Sequence, residues 1–234
     1  MEINTVLYMP DGNRRFARKN KIPLNQAYRL GAKTLRLFSD FIITGGLAKS
    51  FIYHAMSNYT HKRTDLSLKP IYEAIEESFK NLNQERFFEK NNIKFQWIDH
   101  SGKLPKRLED SAIKLAESSK TLEKGKVTVL LGYSYEEDIN QSLFRKPKDY
   151  NAFRENLIFP EDIDLVIRPK EMRLSKGPVY AMAQAQMITL DKLNPEVKKE
   201  DLENIFQTYF KLVDYRINQS HNPYHKLNKI YKWE

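Results

Sequence analysis

Asp11 is a lone carboxylate in Met9-Pro10-Asp11-Gly12-Asn13-Arg14-Arg15, directly after the apolar run Ile3 to Tyr8. Gly12 and Asn13 tolerate the positive φ of a turn whose amides point outward at an anion, and Arg14 and Arg15 can grip phosphate oxygens bidentately. A phosphate would repel Asp11 unless a cation lay between them. Mg²⁺, which takes one or two carboxylates plus substrate phosphates, meets that need. A second cluster follows Asp164-Leu165-Val166-Ile167, where Arg168, Arg173 and the Ser175 hydroxyl form another anion clamp. Either cluster alone also reads as an exposed charged loop. Together, with one carboxylate between them, they suit a site holding two diphosphates.

Both clusters need strand ends to present them. INTVLYM, SFIYHAM, IKFQWI, VTVLLGY and IDLVIR read as strands,. They alternate with segments of helical period at Gln26 to Thr44, Leu68 to Glu89, Leu104 to Lys120 and Lys198 to Arg216. Thr64-Asp65 and Asn194-Pro195 are start signals for the second and fourth. The alternation predicts an α/β fold of one domain, a mainly parallel central sheet surrounded by helices, with ligands at the carboxyl ends of the strands. The domain is expected to span residues 1–217, followed by a basic, aromatic tail over 218–234.

Composition narrows the classes. The 234 residues carry a formal charge of +9, with 41% hydrophobic and 29% charged residues. That is an ordinary soluble balance, and no apolar stretch approaches the roughly 18 residues of a membrane span. The start, MEINTVLYMPDG, lacks the parts of a secretion signal, so a cytoplasmic location is expected,. With no cysteine, disulfides, thiolate ligands and a cysteine nucleophile are excluded. The basic balance points to an anionic partner: nucleic acid, membrane surface or a phosphorylated small molecule. Arg and Lys interleaved with Tyr and Phe keep nucleic acid open as a rival, although the cations cluster at strand ends and not along one face. His221 and His225 in HNPYH, with Pro223 between them, make a poor zinc pair,.

The motifs resemble a known family. MPDGNRRFA is similar to the MDGNGRWA signature of the cis-prenyltransferases (undecaprenyl diphosphate synthase family), and DLVIRPKEMRLS to their DLVIRTGGEHRIS. YRLGAKTL resembles HKAGAKSV, HAMSNYTHKR resembles FSSENWNRP, and VLLGYSYEEDI falls where the family has NYGGRWDI. The resemblance covers Ile3 to about Asp214. It implies the cis-prenyltransferase fold, prenyl transfer with release of diphosphate, Mg²⁺, prenyl diphosphate substrates, no nucleic acid, at most peripheral membrane contact, and a homodimer.

By the same resemblance Asp11, Asn13 and Asn58 are the catalytic positions, with Asp11 the metal ligand. Gly12, Arg14, Arg15 and Arg29 join the allylic diphosphate side, and Arg168, Arg173 and Ser175 bind the diphosphate of the acceptor. Phe38, Phe41, Ile42, Phe79 and Phe87 are candidates to wall a prenyl tunnel, or are ordinary core. This chain also departs from the family: Tyr28 stands for His, Ser57 for Glu, His61 for Arg, and Gln186 for the Glu that is a second metal ligand. The loop after Arg168 is one residue shorter and lacks paired glycines. PDGNRRF and IRPK are closer to the lavandulyl and cyclolavandulyl diphosphate synthase branch, which joins two dimethylallyl units head to middle. The expected reaction is therefore coupling of short (C5–C15) prenyl diphosphates, irregular or regular, with cyclisation a third outcome. A catalytically silent partner subunit is the remaining alternative.

Overall fold

The computed structural model describes residues 3–63 and 68–218. The chain divides into two compact units, Met1–Val197 and Lys198–Glu234. The first begins with β1 (Ile3–Tyr8), α1 (Asn13–Asn20) and α2 (Leu24–Ser39), whose end widens into a π-helical turn, Asp40–Thr44. There follow β2 (Ala48–Tyr53), a 3₁₀ turn (Asn58–Lys62), α3 (Leu68–Gln84), α4 (Phe87–Asn91), β3 (Ile93–Asp99), α5 (Lys106–Ser119) and β4 (Gly125–Gly132). Then come α6 (Tyr135–Phe144), α7 (Tyr150–Glu155), β5 (Leu165–Pro169), β6 (Gln186–Leu190) and a second 3₁₀ turn, Asn194–Glu196. The second unit is described by one helix, α8 (Lys199–Asn218). The start signal at Thr64-Asp65, the tail from residue 219 onward and the His221/His225 pair lie outside the described residues.

The strands form one sheet in the order β3-β4-β2-β1-β5-β6, with every pair parallel. The expected α/β class is borne out, and the reason is visible in β1, β4 and β5. Their near-continuous apolar residues are buried along most of their length, which suits strands covered on both faces. One strand was not anticipated. QMITL becomes β6 through its ladder with β5, from Leu165↔Gln186 to Pro169↔Leu190, whereas the Ala- and Gln-rich run before it favours a helix locally.

The long helical periods also break where the backbone demands it. The expected 68–89 helix stops at Gln84, and Arg86 takes a φ of 51° before α4 begins. The segment after Gly12, read as a turn, is instead the short polar helix α1. Gly12 ends the turn at φ 98° and Arg14 and Arg15 lie in the first helical turn.

Sheet order brings the two basic clusters side by side. Tyr8 is paired with Tyr53 on one side and Ile167 on the other, so β1, β2 and β5 end together at the point where the strand order reverses. One buried amide then fixes the loop after β1. Asn194 is fully buried. Its Oδ1 accepts from the Tyr8 hydroxyl at 2.6 Å and Thr34 Oγ1 at 3.1 Å. Its Nδ2 donates to Asn13 Oδ1 at 3.0 Å and the Gly31 carbonyl at 3.1 Å, and its N–H donates to the Asp11 carbonyl at 2.8 Å.

Space at this knot is as tight as its hydrogen bonding. A Cβ on Gly31 would lie 2.2 Å from Asn13 Oδ1 and 2.6 Å from Asn194 Nδ2. Asn194→Leu removes four buried side-chain hydrogen bonds, to Tyr8, Thr34, Asn13 and Gly31, so urea unfolding should show a loss of about 3 kcal/mol. Gly31→Ala should cost about 1–3 kcal/mol by overpacking. A midpoint unchanged in both variants would show that the knot does not hold the fold.

Candidate active site

A cavity of about 1370 Å³ opens at the carboxyl ends of β1, β2 and β5. Asp11 sits at its centre of charge. Asp11 Oδ2 is 3.2 Å from Arg15 Nη2 and 3.8 Å from Arg168 Nη2. Glu171 Oε1 is 3.6 Å from Arg15, and Glu171 Oε2 is 2.9 Å from Arg173 Nε. Arg168 Nη2 donates to Ser175 Oγ at 2.6 Å. The two clusters thus share one cleft, and Asp11, Gly12, Asn13, Arg14, Arg15, Arg168, Arg173 and Ser175 all line it.

The charge of this cleft is lopsided. Arg14, Arg15, Arg18, Arg63, Arg168, Arg173 and Lys176 face Asp11 and Glu171, an excess of cations that suits a polyanionic ligand. The amides at the start of α1 add partial positive charge. Gly12 is required there twice over: its φ is positive, and a Cβ would lie 2.6 Å from Leu193 Cδ2. Arg168 is 4% exposed and its Nε finds no partner. Burial lowers its pKa, opposed by the nearby charges of Asp11 and Glu171.

His54 presents a second orphaned nitrogen. It follows β2, its N–H bonds the Tyr8 carbonyl at 2.9 Å, and its ring meets Tyr133 edge-on at 6.4 Å. The residue is 7% exposed, Nε2 has no partner, and the side chain lines the cavity. Burial, with the Arg168 guanidinium adding to it, lowers its pKa to about 3. The imidazole is neutral at ordinary pH. Tyr53 is held neutral in the same way, pushed up to about 12 by burial against the opposing hydrogen bond with Thr34.

Away from the charged mouth the wall is apolar, built from Leu24, Leu35, Ile71, Ala74, Ile75 and Val129. The aromatic residues named from sequence do not form it. Phe38, Ile42 and Phe79 are fully buried in the core, with Phe38 stacked on Tyr8 at 3.9 Å and Phe79 edge-on to Phe95 at 5.3 Å. Helical period identified the helices that face the cavity, but not which of their faces does so.

Other expected positions also lie elsewhere. Arg29 Nε pairs with Glu77 at 2.8 Å, half exposed, and does not line the cavity. Asn58 begins the 3₁₀ turn, donates its N–H to the Tyr133 carbonyl at 2.9 Å, and is likewise outside the lining. His61 is tied to Tyr72 at 2.6 Å and to the Leu131 carbonyl at 2.8 Å, a structural tether. Gln186 opens β6 opposite Leu165, at the amino end of the sheet and not beside Asp11.

Five ionisable cavity residues were missed: Arg18, His54, Arg63, Glu171 and Lys176. The available signal was an ionisable residue just past a strand end, or next to a residue already chosen. Lys176 lies over the rings of Tyr59 and Tyr135, at 4.6 and 4.8 Å, and is ion-paired with Glu136.

Among the described residues no three His, Asp or Glu side chains converge on a metal position. The donor set fits an ion that takes one protein carboxylate, Asp11, and the rest of its shell from phosphate and water. The buried imidazole has a separate consequence for stability. Native His54 stays neutral down to about pH 3, while unfolded histidine protonates near 6.5, so the unfolded state binds more protons in between. Stability should fall as pH drops through that window, by about 1.4 kcal/mol per pH unit at most. Urea titrations of wild type and His54→Phe between pH 7 and 4 should diverge in that sense; parallel curves would contradict a buried neutral histidine.

Comparison with known proteins agrees with this geometry. Residues 9–214 match the prenyltransferase family model described as "Putative undecaprenyl diphosphate synthase". The chain is 28% identical over 218 residues to a tritrans,polycis-undecaprenyl-diphosphate synthase (geranylgeranyl-diphosphate specific) of Sulfurisphaera tokodaii, covering 87% of this chain and 83% of the relative. An isoprenyl transferase of Fusobacterium nucleatum is 26% identical over 211 residues, covering 85% and 89%. Lavandulyl diphosphate synthase from Lavandula x intermedia, solved with dimethylallyl diphosphate, superimposes with a TM-score of 0.81 at 20% identity over 88% of this chain and 94% of that one. A probable undecaprenyl diphosphate synthase from Campylobacter jejuni gives 0.73 at 20% identity, over 89% and 95%. The strand-end clamps, the parallel sheet and these matches together place the chain in the cis-prenyltransferase family, as a transferase of prenyl groups with prenyl diphosphate synthase activity.

Proposed function

We propose that this enzyme couples two short prenyl diphosphates, from dimethylallyl to farnesyl in length, by irregular head-to-middle condensation, with cyclisation of the product as a further step. The observation that carries the reading is Asp11 held between Arg15 and Arg168 at the mouth of a cavity whose far wall is apolar. One diphosphate lies over the amides of Gly12, Asn13 and Arg14 with Arg15. The other lies on Arg168, Arg173 and Ser175. Asp11 would hold Mg²⁺, which when bound would offset the charge gathering on the departing diphosphate. The fixed guanidinium groups stabilise that charge without reorganising, and the apolar wall keeps water from the cation.

Two features favour short substrates and an altered coupling. The apolar lining includes Leu35 and Ile75, and the rings of Phe38, Phe51 and Phe79 are fully buried and lie outside it. The acceptor loop, lacking the paired glycines, takes positive φ at Lys170 (56°), Ser175 (42°) and Lys176 (66°), so its amides are aimed by strained residues. PDGNRRF and IRPK supply the sequence argument for the irregular branch. Regular head-to-tail coupling suits the same cavity, and the names of the curated relatives favour it. A homodimeric, cytoplasmic enzyme is the form the family resemblance supports.

Incubation with dimethylallyl diphosphate alone, and with isopentenyl, geranyl or farnesyl diphosphate, each with Mg²⁺, tests the proposal. Diphosphate release and mass spectrometry of the dephosphorylated products should reveal a short branched or cyclic alcohol. A linear product would establish regular coupling, and no release from any combination would leave the silent-subunit reading. Asp11→Ala should lower turnover by about 100-fold or more, and chelation with EDTA should abolish it.

A further inference from the structure

We infer that His54 is a catalytic residue of this site: its imidazole accepts the proton that ends the coupling reaction. The inference rests on the prenyl-transfer reading above. It starts from two buried nitrogens without partners, His54 Nε2 and Arg168 Nε, on side chains lining the same cavity. An unsatisfied buried polar atom is costly, and two of them on side chains of one cavity wall mark that wall as kept for something other than the stability of the fold. Arg168 carries only donors, which suits a diphosphate. A neutral imidazole accepts through whichever ring nitrogen carries no proton.

The chemistry needs such an acceptor whichever coupling occurs. The donor's C–O bond breaks and its electron pair leaves with the diphosphate. The acceptor's alkene pair forms the new C–C bond and leaves a tertiary cation. A neighbouring C–H bond then gives its pair to a new double bond, and its proton must go to a base. Among the described residues, two carboxylates and one imidazole line the cavity. Asp11 is engaged by Arg15 and Arg168, and Glu171 by Arg15 and Arg173. His54 alone of the three has no ion-pair partner, and its neutral ring keeps one nitrogen lone pair in either tautomer. Burial and Arg168 keep it unprotonated before reaction, and a tertiary cation is acidic enough to protonate so weak a base. Incoming diphosphates oppose the Arg168 field, so the imidazole becomes a better base as the site fills. The proton leaves with the released diphosphate.

The test compares wild type with His54→Gln, His54→Phe and His54→Ala, each checked for folding by urea denaturation. Calorimetry with dimethylallyl thiolodiphosphate, which does not ionise, reports binding; diphosphate release reports turnover. The inference expects turnover lower by about 100-fold or more in all three, with analogue affinity changed less than about threefold. An acceptor deuterated at the carbon that loses the proton should show a larger isotope effect in the variants than in wild type, and added imidazole should partly restore His54→Ala. Variant turnover within about threefold of wild type overturns the inference, as does weakened analogue binding that accounts for the whole loss. If wild type turns over and the variants equal it, His54 alone is misassigned; if wild type releases no diphosphate from any pair, the prenyl-transfer reading falls and this inference with it.

Discussion

The carboxamide of Asn194 is the constraint on which the site depends. Four side-chain hydrogen bonds and one from its backbone tie the end of β1, the start of α1 and the middle of α2 into one point. Every polar atom of the amide is used, which is how a fully buried Asn escapes the cost of desolvation. Asn13 is positioned by this amide, and Asp11 by the backbone N–H beside it. The loop after β1 is held because a residue 181 positions beyond Asn13 closes it.

Against this rigid frame the charge is deliberately uncompensated. Arg168 is buried, short of partners and flanked by other cations. Such an arrangement weakens the empty protein and strengthens the filled one, since binding a polyanion removes both the repulsion and the unsatisfied nitrogens. Burial, with the same field adding to it, keeps His54 neutral. Anion binding and proton acceptance are thus opposite effects of one guanidinium on its two neighbours.

Much of this was legible in the sequence, for physical reasons that can be named. The strands β1 to β5 announce themselves because a doubly covered parallel sheet requires unbroken apolar runs, and PDGNRR and IRPKEMRLS mark their ends with groups that only an anion would gather. β6 was hidden because its pairing with β5, and not its own residues, makes it a strand. α1 was hidden because half of its eight residues are charged. Arg29 and Asn58 were named from the resemblance and do not line the cavity, since a one-dimensional motif does not say which way a residue faces. His54 was passed over because a single histidine carries no pattern, and its isolation became visible only through the absence of a partner for Nε2.

Lys176 ties this chemistry to the opposite rim. Its ammonium bridges the ring of Tyr59, after β2, and the ring and carboxylate of Tyr135 and Glu136, at the head of α6, one residue from the Ser175 that braces Arg168. Three crossovers of the fold are stapled by one side chain beside the acceptor clamp. The placement of Lys176 at the cavity rim is thereby entrusted to two aromatic rings and a carboxylate, so divergence at Tyr59 or Tyr135 can reshape that rim while leaving Arg168 and Ser175 in place.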